Sequence, residues 1–153
     1  MKHSIARTGL AVVFTVAMMA GLAAPAHAGV RPCSLATLTG NYAGSQSGFE
    51  SPNAPGQTPQ PFTDVGVVAF DGAGNVSFTV TDMSPGNPNP YIALQLTGSG
   101  TYTVNSDCTG SISITTGDAA GDTFNLVIIG GGAEVFGTNT APWVIATSDF
   151  KKQ

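Results

Sequence analysis

The fold class is decided by Val76-Ser77-Phe78-Thr79-Val80-Thr81, a stretch in which apolar and hydroxyl side chains alternate without a break. Because successive side chains of a β-strand point to opposite faces, this pattern predicts a strand with one buried and one solvated face. Similar runs, separated by Gly, Pro, Asn and Asp, cover residues 35–43, 65–70, 92–104, 111–116, 123–129, 133–137 and 143–147. The segment Gly98-Ser99-Gly100 interrupts one run: a β-bulge there gives eight strands, and a tight turn gives nine.

An all-β domain follows, and we expect a single antiparallel barrel of about eight strands, with a two-sheet β-sandwich as the alternative. An immunoglobulin-type sandwich would place a tryptophan between two cysteines, whereas Trp143 follows both Cys33 and Cys108. Two proline-rich stretches, residues 50–61 and 84–90, are predicted to be exposed loops, because proline cannot donate to a strand ladder.

The amino terminus has the order of a secretory signal peptide. Lys2 and Arg7 precede an apolar run over residues 9–24, and Ala26-His27-Ala28 provides a small-x-small cleavage site. We therefore expect cleavage after Ala28, a single domain over residues 29–153, and a secreted or periplasmic location. The residue after the cleavage point is Gly29 rather than cysteine, which argues against a lipid anchor.

Charge excludes several partners for the chain that remains after cleavage. Both histidines leave with the signal, and the remaining basic residues are Arg31, Lys151 and Lys152, against nine acids. Nucleic-acid binding needs several cations to neutralise phosphates, so no nucleic-acid partner is expected. The same argument disfavours anionic membrane surfaces, and most predicted strands are shorter than the roughly 9–11 residues of a membrane strand. No membrane partner is expected after signal removal.

The two cysteines, Cys33 and Cys108, both remain in the mature chain. In an oxidising compartment two thiols most simply form one structural disulfide. A reactive or metal-binding thiol would usually have a neighbouring His or a second Cys in a CxxC pair, and the sequence supplies neither.

Three motifs carry a resemblance: Cys33-Ser-Leu-Ala-Thr-Leu-Thr-Gly-Asn-Tyr42, Phe70-Asp-Gly-Ala-Gly-Asn75 and Gly100-Thr-Tyr-Thr-Val-Asn-Ser-Asp-Cys-Thr-Gly110. Together they resemble a widespread group of exported bacterial proteins of unassigned activity. The resemblance implies a shared scaffold and a Cys33–Cys108 bridge, and it implies no reaction. In architecture alone, the predicted barrel is similar to those of allene oxide cyclases, dirigent proteins and lipocalins.

Candidate chemistry is sparse. Without histidine a hydrolytic triad in its usual form is excluded, and no metal or cofactor is expected. Calcium would find oxygen ligands in Asp71, Asn75, Asp118 and Asp122, but these are also ordinary turn residues, which is the favoured interpretation. No catalytic residue is assigned; Glu134, on a predicted strand, is a weak candidate for a buried acid, and the favoured alternative is that its side chain is solvated.

The strongest signal is apolar. Seven side chains on the apolar phase of their strands are expected to line an interior ligand pocket: Phe78, Leu94, Leu96, Tyr102, Phe124, Leu126 and Trp143. An eight-stranded barrel either fills its interior with such residues or leaves room for one small ligand. The leading hypothesis is an exported barrel that binds a small neutral or apolar ligand. The alternatives are a cyclase- or isomerase-like enzyme using Glu134 or Tyr102, and a structural or surface-interaction module with a filled core.

Two further expectations concern association and pH. Val127 and Ile129 make the second face of the strand Thr123–Ile129 apolar, which suggests that the carboxy-terminal tail or a second copy of the chain covers that face. Because the mature chain lacks histidine, stability is expected to be flat between about pH 6 and 7. A slope would require a carboxylate with a strongly raised pKa.

Overall fold

The structure, a computed structural model, describes residues 31–51, 58–84 and 93–153. Residues 1–30, which include the predicted signal peptide, and residues 52–57 and 85–92 lie outside the described residues. The elements are a 3-10 turn at Leu35–Thr37 and the strands β1 (Thr39–Glu50), β2 (Gln60–Asp71), β3 (Asn75–Met83), β4 (Leu94–Val104), β5 (Thr109–Gly117), β6 (Thr123–Ile129), β7 (Glu134–Asn139) and β8 (Val144–Lys152).

The strands form a closed antiparallel barrel in chain order, in which β8 pairs with β1. The predicted barrel is therefore confirmed, and the sandwich alternative is excluded. The register between β4 and β5 shifts between Ser99 and Gly100, so the glycine-rich segment is a bulge rather than a turn. Every predicted strand is present within the described residues, and the bulge interpretation with eight strands is correct.

Several boundaries differ from the sequence-based prediction. Residues 35–37 form a 3-10 turn rather than a strand, because the amide of Ser34 donates to Oγ1 of Thr37 at 2.9 Å and the amide of Thr37 donates back to the carbonyl of Ser34 at 2.9 Å. β1 and β2 contain 12 residues each and extend into the stretch predicted to be a loop. Pro61 has no backbone N–H to donate to a neighbouring strand. It is tolerated because it is the second residue of β2, at the end of the ladder.

Inward-facing glycines allow the long strands to curve. A Cβ atom at Gly44 would collide with the carbonyl oxygen of Asp149, and a Cβ atom at Gly66 would collide with that of Thr79. Both glycines occupy inward positions of their strands, where neighbouring backbones approach closely. A side chain at either position would force the strands apart and widen the barrel.

One end of the barrel is closed by the segment that precedes β1. Leu38 and Tyr42 are fully buried there, and the ring of Phe70 makes edge-to-face contacts with Tyr42 and Tyr102. The hydroxyl of Tyr42 donates to the carbonyl of Gly132 at 2.6 Å. A disulfide between Cys33 and Cys108, 75 positions apart in the chain, fastens this segment and confirms the predicted bridge. We call this side of the molecule the closed end.

Candidate functional site

A cavity of about 100 Å³ lies inside the barrel, above the aromatic layer of the closed end. Its walls are mostly apolar, and they come from all eight strands and the turn before β6. The apolar wall consists of Val68, Phe70, Val76, Phe78, Val80, Leu96, Ile112, Ile114, Ala119, Phe124, Leu126, Val135 and Phe150, and the polar wall of Gln46, Asp64, Asp122 and Ser148. The interior is thus neither completely filled nor large enough to enclose a drug-sized ligand, for which about 300 Å³ is the usual minimum.

Four of the seven predicted pocket residues line this cavity, namely Phe78, Leu96, Phe124 and Leu126. The other three do not. Leu94 begins β4 and is 39% exposed, and Tyr102 is buried within the closed end below the cavity. Trp143 precedes β8 and is 46% exposed, because Val144 and Ala146 take the inward phase of that strand. Trp143 therefore cannot report on the cavity through its emission.

Four carboxylates mark the opposite end of the interior, which we call the acidic end: Glu50, Asp64, Asp82 and Asp122. Asp64 and Asp82 are directly opposite each other in the β2–β3 ladder, on the inward phase. Side chains so placed have Cβ atoms about 4.5–5.5 Å apart. The alternation of apolar residues does not reveal this group. Asp82 shares the phase of Phe78 and Val80, but an acid on the inward face does not stand out in an apolar pattern.

The carboxyl of Asp64 is the most strongly perturbed group in the cavity. Burial, and after it the negative charges of Asp82, Glu50 and Asp122 in that order, together raise its pKa from 3.8 to about 7. Its Oδ1 atom is shielded from solvent and has no hydrogen-bond partner in the described part of the chain. A carboxyl in this state either holds a proton near neutral pH or requires a cation beside it.

The neighbours of Asp64 at the acidic end experience the same environment. Burial raises the pKa of Asp122, and a hydrogen bond donated by Nδ2 of Asn139 to its Oδ2, at 3.0 Å, opposes the rise. Burial and the charge of Asp82 raise the pKa of Glu50, while a hydrogen bond from Ser84 lowers it. The hydroxyl of Ser84 also donates to Oδ2 of Asp82 at 2.8 Å.

The two residues considered for proton chemistry lie away from the cavity. Glu134 is on the outer face, where its Oε1 accepts from Nζ of Lys151 at 3.1 Å, so the favoured solvated interpretation is the correct one. The hydroxyl of Tyr102 lies near the carbonyls of Leu35 and Leu38, at 3.0 and 2.9 Å, and serves to hold the closed end. Neither side chain lines the cavity.

The oxygen-rich turns considered for calcium are occupied by local hydrogen bonds. Oδ1 of Asp71 accepts from the amides of Ala73 and Asn75 at 2.7 and 2.9 Å, and these bonds, with one from the side chain of Asn75, lower the pKa of Asp71 to about 2. Oδ2 of Asp118 accepts from the amide of Thr97 at 2.8 Å. Within residues 31–51, 58–84 and 93–153, no three His, Cys, Asp or Glu side chains are close enough to hold a metal ion.

The outer surface offers two further features. A wide, open hollow of about 480 Å³ crosses the outside of β2 to β5, and side chains such as Ser77, Thr101 and Thr115 line it. On β6 and β7, Val127, Ile129 and Phe136 are 50%, 46% and 39% exposed. The carboxy-terminal tail completes β8 rather than covering this outer patch.

No helix in the described ranges has both the length and the hydropathy required to cross a bilayer. No protein-family model matches the chain, and comparison with curated proteins and with solved structures finds no match. The cavity and its polar wall are therefore the features from which a function can be inferred.

Proposed function

We propose that this protein binds one small ligand by inserting the ligand's apolar part into the barrel. The observation that carries the proposal is the interior cavity, in which Phe78, Phe124 and Phe150 are only partly buried although they lie on inward positions. When an apolar group of a ligand covers the exposed surface of these aromatic rings, the complex is stabilised by about 25 cal/mol per Å² of apolar surface removed from water.

The size of the cavity limits the ligand. A dry cavity of about 150 Å³ accepts benzene, so about 100 Å³ suits a branched alkyl group or a small ring. A larger ligand would place only one end in the barrel. This protein therefore acts as a binding protein for small molecules rather than as a carrier of whole lipids.

Export is part of the proposal. A disulfide between Cys33 and Cys108 is stable in an oxidising compartment. Cys33 lies in the segment before β1 and is 75 positions from Cys108, so the two cysteines do not form the CxxC pair of a redox catalyst. Together with the amino-terminal signal pattern, this bond supports a secreted or periplasmic location for residues 29–153.

The test uses a pair of substitutions on one strand. Leu126→Phe adds volume inside the cavity, whereas Val127→Phe adds the same kind of volume on the outer face. With isoamyl alcohol as the probe, methyl resonances of Ile112 and Ile114 should shift in the parent and in Val127→Phe, and should not shift in Leu126→Phe. Absence of any shift in the parent, even at probe concentrations near the solubility limit, would leave a structural module with a packed core as the better account.

A second candidate function has one specific observation behind it. The carboxyl of Asp64 has a pKa of about 7 in a mostly apolar cavity, which is the state of a general acid that donates and recovers a proton near neutral pH. An isomerase or cyclase would use that proton on an unsaturated substrate. Incubation of unsaturated probes in D₂O should then place deuterium on carbon in the parent and not in Asp64→Asn. Probes recovered without deuterium would exclude this activity for those compounds.

A further inference from the structure

The interior is divided into an apolar half and an acidic half. The apolar wall lies next to the closed end, and Asp64 and Asp122 belong to the wall on the opposite side. Asp82 faces Asp64 across the ladder, and only 7% of its surface is exposed. A ligand that fills the apolar half thus meets at least two carboxylates with its other end.

Within residues 31–51, 58–84 and 93–153, no Lys or Arg forms an ion pair with these carboxylates. No Lys, Arg or His occurs between residues 32 and 150. Lys151 is on the outer face beside Glu134, and Lys152 lies over the ring of Tyr42 at 6.0 Å, near the closed end. Charge balance at the acidic end must come from protons, solvent ions or a ligand.

A metal ion fits this end poorly. No three of the side chains of Asp64, Asp82, Asp122 and Glu50 converge at metal-ligand distance. An organic ammonium group carries its charge on a larger body, donates up to three hydrogen bonds and can be attached to an apolar group. The unpaired Oδ1 of Asp64 is an acceptor at the point where such a group would leave the apolar half.

We propose that the ligand of this barrel is a small organic amine, whose alkyl or ring body occupies the apolar cavity and whose ammonium group binds Asp64 and Asp82. This inference rests on the proposed function and names its ligand class. It replaces the neutral head group expected from the sequence by a cationic one. Asp122, which also lines the cavity, and Glu50 add negative potential around this ammonium group.

A pH dependence follows from the groups that face Asp64. These are Asp82 on β3, Glu50 and Gln46 on β1, and Asp122 before β6. A free carboxyl with a pKa near 7 must lose its proton to bind an ammonium ion, so amine affinity should rise between about pH 5 and 8. The affinity of a neutral probe should not rise over that range.

The experiment compares three probes with the same five-carbon body: isoamylamine, isoamyl alcohol and isovalerate. Titration by calorimetry at pH 8 should give the amine at least about tenfold tighter binding than the alcohol, as expected for a charge-assisted hydrogen bond, and no binding of isovalerate. Asp64→Asn and Asp82→Asn should each remove most of the preference for the amine over the alcohol. Glu134→Gln removes one negative charge, as the two other substitutions do, but on the outer face of the barrel. This control variant should still bind the amine more tightly than the alcohol.

The outcomes separate the two proposals. Equal affinity for amine and alcohol would overturn the amine inference and leave the cavity-binding proposal in place. Binding of none of the three probes would overturn both. Loss of the preference in Glu134→Gln would show that net charge alone attracts the amine, and displacement of the amine by calcium at equal concentration would show an inorganic cation site instead. Either result would overturn the inference.

Discussion

Asp64→Asn should stabilise the protein at pH 8 and leave its stability at pH 4 unchanged. The folded protein holds the proton of Asp64 up to about pH 7, whereas the unfolded chain releases it near the ordinary value of 3.8. Between these two values the folded state binds more protons than the unfolded state, so the free energy of unfolding falls as the pH rises. The stabilising proton is fully effective only below about pH 4, and its contribution has disappeared above about pH 7.

The size of this effect follows from the two pKa values of Asp64. A pKa difference of one unit corresponds to about 1.4 kcal/mol, so the rise from 3.8 to about 7 sets an upper limit of about 4 kcal/mol. Because Asp64 is only partly buried, water screens the carboxylates, and we expect about 2 kcal/mol between pH 4 and 8. The raised pKa values of Glu50 and Asp122 add to the slope with the same sign.

The assay is urea unfolding at half-unit pH intervals from 3 to 8.5, on the parent, Asp64→Asn and Glu134→Gln. The parent should be most stable near pH 4 to 5, because Asp71, with its lowered pKa, loses a stabilising charge below that range. The slope from pH 5 to 7 should be much reduced in Asp64→Asn and retained in Glu134→Gln. The raised pKa of Asp64 thus changes the expectation from the sequence, in which the absence of histidine predicted a stability that is constant between about pH 6 and 7. A parent curve that is flat between pH 5 and 7 would refute the assignment of a buried proton to Asp64.

Three shorter predictions concern the closed end and the outer patch. Natively exported protein should contain no free thiol, and reduction of the bridge, whose cysteines are 75 positions apart, should cost about 4–5 kcal/mol in the loop-entropy model; thiol titration that finds two accessible thiols contradicts this. Tyr42→Phe keeps the ring but leaves the buried carbonyl of Gly132 without its donor, so the free energy of unfolding should fall by about 1–3 kcal/mol in urea; an unchanged midpoint would mean that the bond contributes nothing. If copies of the chain pair through β6, Val127→Thr combined with Ile129→Thr should lower the sedimentation coefficient, and a parent that remains monomeric at high concentration would exclude that pairing.

The fold was predictable because each strand carries its own alternation. In β3 every second residue from Val76 to Val80 is apolar and inward, and the bridge between Cys33 and Cys108 follows from the number and location of the cysteines. Barrel closure was favoured but not fixed by the pattern, since it depends on the pairing of β8 with β1. The inward glycines that let the strands curve look, in sequence, like ordinary turn or linker glycines.

The site was predictable only in its apolar half. Phe78 and Leu126 reach the cavity because their strands keep strict alternation. Trp143 lies just before β8, and because Val144 occupies an inward position, the side chain of its neighbour Trp143 points outward. The acidic end was missed for a different reason. Asp64 lies one residue before the predicted start of its strand, and its pairing with Asp82 comes from the register of β2 and β3, which no local pattern encodes.

The most direct measurement of the central claim is the set of intermolecular nuclear Overhauser effects between bound isoamylamine and the methyl groups of β6. Leu126 lines the cavity and Ile128 is buried on the same inward phase, while Val127 and Ile129 are exposed on the other face of the strand. Binding inside the barrel predicts contacts from the probe's methyl groups to Leu126, Ile112 and Ile114, and none to Val127 or Ile129. Contacts confined to Val127 and Ile129 would place the ligand on the outer patch and contradict the account.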